Sequence, residues 1–389
     1  MRTPNLPLHV DVLIVGGGPV GALLAQRLAK TQLSVLVAEA RTEPADDPRA
    51  LALSWSSRQI LGEAGLWDAG LQPTAIERVH VSQQGTLGRV ELAAEEIGLP
   101  ELGCVVPYAK LAGLARERLA TTPGLLAPGT EVAALDLLDG YAVATLRQAE
   151  FEHTLTARLV VLADGGGLAA TLPGLAPRCK PYRQHALLAM LTPEAAHRNT
   201  AWERFATDGP LALLPCGEQL ALVWAQEPEQ AERRLALGDA DFLSELNTRL
   251  GQRTPKMTAV GPRTSFALAL KTVDNVTGKR LVMIGNAAQT LHPIAGQGLN
   301  LGLRDADTLA QLLANSPRAE LGSPAQLARY THLRHRDADL VTGFTDGLVE
   351  LFRPDFAPLR HARSLGLLAL DLIGPARREL AQMMVFGLR

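Results

Sequence analysis

The sequence predicts an α/β fold: a three-layer, Rossmann-like domain, a β-sheet domain interleaved with it, and helices at the C-terminal end. Three observations predict it. An apolar run at 9–15 feeds into Gly16-Gly17-Gly18-Pro19-Val20-Gly21, followed by a helical pattern. A second apolar run, 158–163, ends in Asp164-Gly165-Gly166-Gly167. A third, 280–285, opens into small residues, Pro and Gly before a helical pattern at 301–313. Short apolar runs alternating with helical patterns mark a parallel sheet covered by helices.

In the first element, each glycine has a separate reason. Gly16 permits the tight turn, Gly18 lets a pyrophosphate reach the backbone, and Gly21 allows close helix–strand packing. The helix turns Ala22, Leu23, Ala25, Leu28 and Ala29 inward. The next strand, 33–38, ends at Glu39, about 20 residues beyond the first glycine, where a carboxylate accepts hydrogen bonds from an adenosine ribose. Strand, glycine turn, helix, second strand and terminal acid in this order indicate dinucleotide binding, without distinguishing FAD from NAD(P).

The middle of the chain changes character. Apolar–polar alternation at 78–98 suggests antiparallel strands, 111–119 reads as a helix, and 131–146 reads as strands around an Asp139-Gly140 turn. Residues 179–270 form a different layer, with strands at 187–191, 211–214 and 220–224 and a helix at 240–250. Dinucleotide-type elements lie before, inside and after these segments, so the two domains interleave.

In the late loop, small residues let backbone N–H groups approach a ligand, and the following helix offers its positive end to an anion. The N-terminal and late sites together point to one large, partly anionic cofactor held from two sides.

The 389 residues are enough to bury a large core in two domains. A formal net charge of −2 gives no reason to propose nucleic acid as a partner. Cys104, Cys179 and Cys216 make neither a C-x-x-C nor a zinc spacing and are expected to be buried free thiols in a reducing cytosol. The first residues carry Pro4 and Pro7 and no apolar core, so no signal peptide is expected, and no apolar run reaches membrane-spanning length.

The three glycine sites occur in the order Gly16-x-Gly18-x-x-Gly21, Ala163-Asp164-Gly165, then Gly285-Asn286-Ala287-Ala288-Gln289-Thr290-Leu291-His292-Pro293-Ile294-Ala295-Gly296-Gln297-Gly298. With Arg49-Ala50-Leu51-Ala52-Leu53-Ser54 and the tail beyond Tyr330, the chain resembles, over essentially its whole length, the single-component FAD-dependent aromatic hydroxylases, specifically their ubiquinone-biosynthesis branch. The resemblance implies FAD as cofactor, NAD(P)H as reductant and O2 as co-substrate. It implies hydroxylation of a polyprenylated phenol, 2-polyprenyl-6-methoxyphenol, through a flavin C4a-hydroperoxide. It also implies an FAD-binding domain in three pieces (1–75, 105–175 and 271–330), a substrate domain in two (76–104 and 176–270), and a C-terminal helical segment (331–389).

The resemblance assigns site residues. Gly16, Gly18 and Gly21 hold the FAD pyrophosphate, Glu39 takes the adenosine ribose, and Arg49 contacts the flavin nucleotide, where a cation suits a phosphate. Asp164 and Gly285 sit at cofactor-facing strand ends. Asn286 stands where the wider family carries an acid on the ribityl chain; an amide still hydrogen-bonds a hydroxyl but brings no charge, and the ubiquinone branch often shows this Asn. Gly296, Gln297, Gly298, Leu299 and Asn300 are expected against the flavin ring, with helix-start N–H groups stabilising negative charge on the reduced ring. Many relatives follow Asp164-Gly165 with Ser-x-x-Arg; this chain has Gly166-Gly167-Leu168-Ala169-Ala170-Thr171, which leaves nicotinamide docking open.

The flavin carries the chemistry, while the protein orients the ring and excludes water. Neither an acid–base dyad nor a metal is therefore expected. His292 and Pro293 sit beside the expected flavin face. Two readings of His292 stand: it binds or deprotonates the phenol, or it fixes the loop by hydrogen-bonding backbone. Pro293 reads as a rigid loop former lining the pocket.

From residue 353 onward the tail carries six Arg against Asp355, Asp371 and Glu379, with apolar runs at 365–373 and 383–386. Three readings of it stand: peripheral contact of a cytoplasmic protein with the inner face of an anionic membrane, packing onto the FAD domain, or docking to a ubiquinone-biosynthesis protein complex. Two other activities also remain open. A flavin reductase or dehydrogenase on the same fold is disfavoured by the intact 293–300 loop, and a structural member of a quinone-biosynthesis complex is favoured only by the altered loop after Asp164.

Overall fold

The computed structural model describes residues 6–44, 47–206, 208–352 and 356–387. Its first sheet has a parallel core. Strand β1 (His9–Val15) lies between β11 (Phe151–Leu162) and β2 (Val35–Glu39); β19 (Leu281–Met283) continues beyond β11, and β8 (Leu126–Pro128) beyond β2. The short β18 (Thr277–Gly278) closes one edge. Alternate residues of a strand face opposite sides. Val12 and Ile14 therefore pack under the helices α1 (Pro19–Leu28), α3 (Tyr108–Thr121) and α6 (Gln297–Ala314). Leu13 and Val15 pack against an antiparallel meander, β9 (Glu131–Leu137) and β10 (Ala142–Gln148), that folds back from β11. Helices, parallel sheet and meander are the three layers.

The second sheet runs β20 (Gln289–Thr290), β17 (Thr264–Thr272), β12 (Arg178–Pro193), β15 (Gln219–Gln226), β14 (Gly209–Cys216), β13 (Thr200–Ala206), β5 (Arg78–Gln83) and β6 (Arg89–Ala93), with β16 (Met257–Val260) also on β12. One face, carrying Leu187, Trp202, Leu213 and Trp224, is covered by α4 (Pro228–Ala236) and α5 (Asp239–Leu250). The other face looks toward the first sheet. The late loop itself contributes β20, paired with β17, so it bridges the two sheets. A small antiparallel sheet of β3 (Ala50–Ser54), β7 (Gly103–Pro107) and β4 (Thr74–Ile76) lies beside them.

Three helices complete the described chain: α7 (Pro324–Phe352), α8 (Ala357–Leu372) and α9 (Gly374–Phe386). The α8 helix lies on the β5–β6 hairpin, where the Gly88 N–H donates to Ser364 Oγ at 2.9 Å. A Cβ on Gly88 would sit 2.6 Å from Ser364 Cα, so only glycine allows this approach. The α9 helix reaches α2 (Trp55–Glu63), whose Ser56 hydroxyl donates to the Val385 carbonyl at 2.7 Å. The tail thus touches both sheets' surroundings. Its residues Arg353, Asp355 and Arg389 lie outside the described residues.

The cysteine expectation needs correction. Only Cys104 is buried, and burial pushes its thiol up to about 12. Cys179 is exposed and Cys216 half-buried, because Cys179 lies in the exposed first turn-out of β12, residues 178–181, beyond the packed part of that strand.

Candidate active site

A cavity of about 1360 Å³ lies between the two sheets. Of the residues expected at a cofactor site, Gly16, Gly18, Glu39, Arg49, Asp164, Gly285, Asn286, His292, Pro293, Gly296, Gln297, Gly298, Leu299 and Asn300 all line it. Gly21 lies behind the wall: a Cβ there would meet the Gly16 carbonyl oxygen at 2.1 Å, so it lets α1 seat against β1. Gly16 takes φ +103°, and its added Cβ would lie 2.6 Å from the Ala163 carbonyl oxygen. A Cβ on Gly18 would meet no atom within 4 Å; its backbone faces open space at the start of α1, where no side chain caps the helix.

Glu39 ends β2 with its carboxylate folded back. Its Oε2 accepts the Gly17 N–H at 2.6 Å and its Oε1 the Arg41 N–H at 2.9 Å. Arg49 lies nearby, its Nε donating to Asp47 Oδ2 at 2.8 Å and its guanidinium stacked over the Tyr108 ring at 5.2 Å. The Asp47 hydrogen bond holds the Arg49 pKa above its ordinary value. Asp164 is occupied with its own loop, Oδ1 accepting from Gly166 N–H at 3.0 Å and Oδ2 from Leu168 N–H at 2.7 Å.

The late loop forms the opposite wall. Asn286 is exposed on it. Ala295 (φ +60°, ψ 4°) and Gly296 (φ +61°, ψ 25°) are successive left-handed residues, immediately before α6 begins with no side-chain cap. A left-handed alanine is strained, and such strain concentrates at ligand-binding segments. The uncapped start of α6 lines the cavity, and such a helix start is a favourable site for negative charge.

Other expected residues hold the wall in place. The Asn300 amide is engaged on three sides: Oδ1 accepts Ser54 N–H at 2.9 Å, and Nδ2 donates to the carbonyls of Ala52 (3.0 Å) and Gly296 (2.8 Å). It ties β3 to the loop. Gln297 Nε2 donates to the carbonyls of Ala295 at 3.3 Å and Met384, on α9, at 3.4 Å. His292 is buried; its Nδ1 accepts the Ile294 N–H at 3.1 Å, and its ring meets Tyr182 edge-on at 5.1 Å.

Two features escaped the sequence reading. Behind the loop, Arg334 Nε donates to Asp305 Oδ1 at 2.7 Å, Gln289 Nε2 donates to Asp305 Oδ2 at 2.9 Å, and Gln289 Oε1 accepts from Arg334. Burial pushes the Asp305 carboxyl upward against the pull of Arg334. An acid on the apolar stripe of α6, four residues from both Leu301 and Leu309, was the available signal. The second feature is Glu203 on β13, among the described residues the one carboxyl that the second sheet brings to the cavity.

Part of the cavity lining is apolar: Val79, Val81, Val90 and Leu92 of the β5–β6 hairpin and Leu367, Leu370, Leu380 and Met384 of α8 and α9 contribute to it.

Bare glycine backbone, two uncapped helix starts and a carboxylate at the second strand's end fit a flavin dinucleotide. With an adjoining apolar chamber, fold and site define the class: an FAD-dependent aromatic monooxygenase, which uses a reduced nicotinamide and O2. The chain belongs to the FAD binding domain family, whose model matches residues 9–345. It is 38% identical over 380 residues to the ubiquinone hydroxylase UbiL of Rhodospirillum rubrum, covering 95% of this chain and 87% of that protein. It is 32% identical over 388 residues to the 3-demethoxyubiquinol 3-hydroxylase of Escherichia coli, covering 95% and 96%. Among solved structures, p-nitrophenol 4-monooxygenase PnpA from Pseudomonas putida DLL-E4 superposes with a TM-score of 0.80 at 18% identity, covering 98% of this chain and all of that one; this likeness speaks to the fold alone.

Proposed function

We propose that this monooxygenase hydroxylates the aromatic ring of a phenol carrying a polyprenyl chain, a step of ubiquinone biosynthesis, with a 2-polyprenyl-6-methoxyphenol as the model substrate. The observation that carries the reading is the apolar part of the cavity lining supplied by the β5–β6 hairpin and α8–α9, against which an isoprenoid chain would bury apolar surface at roughly 25 cal/mol per Å². The names of the ubiquinone hydroxylase and demethoxyubiquinol hydroxylase relatives support the same reading.

Bound FAD, once reduced, supplies activated oxygen from O2 to the ring; that chemistry belongs to the cofactor. The chain's residues bind and orient. The α1 start and Gly18 take the pyrophosphate, Glu39 the adenosine ribose, Arg49 a phosphate and Asn286 the ribityl chain. Asp164 keeps the 164–168 loop in shape beside them. The amides at the start of α6, of Gln297 and Gly298, face the ring and stabilise its negative charge. His292 fixes the turn into Ile294, and Pro293 lines the ring pocket. The apolar walls keep water from the reacting oxygen. In this reading residues 1–75, 105–175 and 271–330 act together on the cofactor, and 76–104 with 176–270 on the substrate.

Leu365, Leu372 and Ile373 of the tail are exposed. An exposed apolar corner of this kind suits peripheral contact with a membrane, from which a lipid-tailed substrate enters.

The test is NAD(P)H oxidation by the FAD-loaded protein with and without a short-tailed 2-prenyl-6-methoxyphenol under 18O2. Product heavier by one labelled oxygen supports the reading. Oxidation without any oxygenated product overturns it in favour of a reductase.

A further inference from the structure

Glu203 stands on the cavity-facing side of the second sheet in a row that is otherwise apolar. Its cross-strand neighbours are Val81 on β5 and Ala212 on β14, and the row continues to Val223 and Leu188. All five residues line the cavity. Among the described residues no hydrogen bond or ion pair engages the Glu203 carboxyl.

Its position can be triangulated. Phe205, two residues on and on the same face, packs in one cluster with Ile294 of the late loop. Ala201, two residues back, packs in another with Ala52, whose Cβ lies 3.2 Å from where a Cβ on Gly296 would stand. Glu203 therefore stands between two residues whose clusters border the 294–296 turn, and like that turn it lines the cavity. A lone carboxyl on an apolar wall has no structural partner to serve.

We infer that Glu203 is the substrate-recognition residue of this enzyme: its carboxyl hydrogen-bonds the phenolic hydroxyl and holds the ring between β13 and the late loop. The inference rests on the phenol reading above and names the group that reads the ring. Burial pushes the Glu203 carboxyl up to about 8, so near neutrality it carries its proton. A neutral carboxyl has one acceptor and one donor side by side. Its carbonyl oxygen accepts the phenol O–H, and its own O–H donates to an oxygen substituent on the neighbouring ring carbon. The ligand class is thus an ortho-oxygenated phenol. A site built around a buried hydrogen bond rejects analogues that lack the partner, because the protein group is then left unsatisfied.

The experiment is equilibrium titration of the oxidised, FAD-loaded protein, followed by flavin absorbance. The ligands are 2-prenyl-6-methoxyphenol and the same ring without its hydroxyl. Wild type should prefer the phenol by about tenfold or more, the factor of roughly one net hydrogen bond. Glu203→Leu should lose that preference while retaining FAD and binding the hydroxyl-free ring at least as well. Glu203→Gln, a neutral donor–acceptor isostere, should restore most of it. A merely structural role would weaken both ligands alike. Equal preference in wild type and E203L, or none in wild type, overturns the inference. Because binding is read without turnover, wild type that prefers the phenol yet makes no oxygenated product counts against the proposed reaction and not against Glu203.

Discussion

Arg334 and Asp305 form a buried ion pair, Nε to Oδ1 at 2.7 Å, that joins α7 to α6 directly behind the late loop. Through Gln289 and the Gly285 N–H, which approaches Asp305 Oδ2 at 3.4 Å, the pair holds both ends of the 285–289 segment.

Asp305→Ala should therefore do two things. It leaves a buried guanidinium without its counter-ion, costing about 3–5 kcal/mol. It also frees the segment carrying Asn286, so bound FAD per protein should fall. Urea unfolding and the flavin-to-protein absorbance ratio check this; a variant of wild-type stability and flavin content would show the pair to be dispensable.

Gly18 and Gly21 should fail in different ways. Gly18→Val places its Cβ where no protein atom lies within 4 Å, so the apoprotein should fold and melt normally but lose FAD affinity by about a hundredfold or more, through blocked pyrophosphate approach. Gly21→Ala drives a Cβ to 2.1 Å from the Gly16 carbonyl oxygen and should destabilise the fold itself by about 1–3 kcal/mol or more. Circular dichroism melts with and without FAD separate the two.

Asp11 ties the sheet to the region after α6. Its carboxylate accepts Ser34 N–H and Oγ–H, each at 2.9 Å, and Arg318 Nε–H at 2.7 Å. Burial alone raises the Asp11 pKa, but the bonds from Arg318 and Ser34 outweigh it and hold the pKa below its ordinary value. A depressed folded-state pKa contributes stability above the unfolded value of about 3.9 and loses it as pH falls through the folded value. Asp11→Asn should cost about 1–3 kcal/mol at neutral pH, and the gap from wild type should narrow in acid. A gap unchanged down to the acid unfolding limit would contradict this.

Leu372 is 84% exposed and Ile373 53% exposed at the α8–α9 corner. Replacing both by Ser should reduce sedimentation with anionic vesicles without changing FAD content. Equal binding by the double variant would remove this corner from any membrane role.

The local parts of the fold were legible in the sequence. The N-terminal strand, its glycine turn and α1 follow one another without interruption, and the 285–300 phrase carries its own strand, turn and helix start. What was not legible depends on chain returning from elsewhere. Nothing in the sequence marks Glu203; only the register with Val81 and Ala212 gives its side of the sheet. Asp305 needs Arg334, 29 residues away, to have a meaning. Asn300 read as a cofactor contact, yet its amide is engaged by backbone on a strand 246 to 248 residues earlier. The second sheet lost most detail, because β13 and β17 gain their burial pattern from neighbours distant in sequence.

Gln297 hydrogen-bonds the turn at Ala295 and the Met384 carbonyl of α9 with one amide nitrogen. The start of α6 and the last described helix, α9, therefore share an energetic link, and such a link is reciprocal. A ligand that tightens the turn must also steady α9, by the same factor that a steadier α9 would improve the ligand's affinity. A fusion, an extension or a membrane that pulls on the chain's end then acts as an effector of the flavin pocket, without touching it.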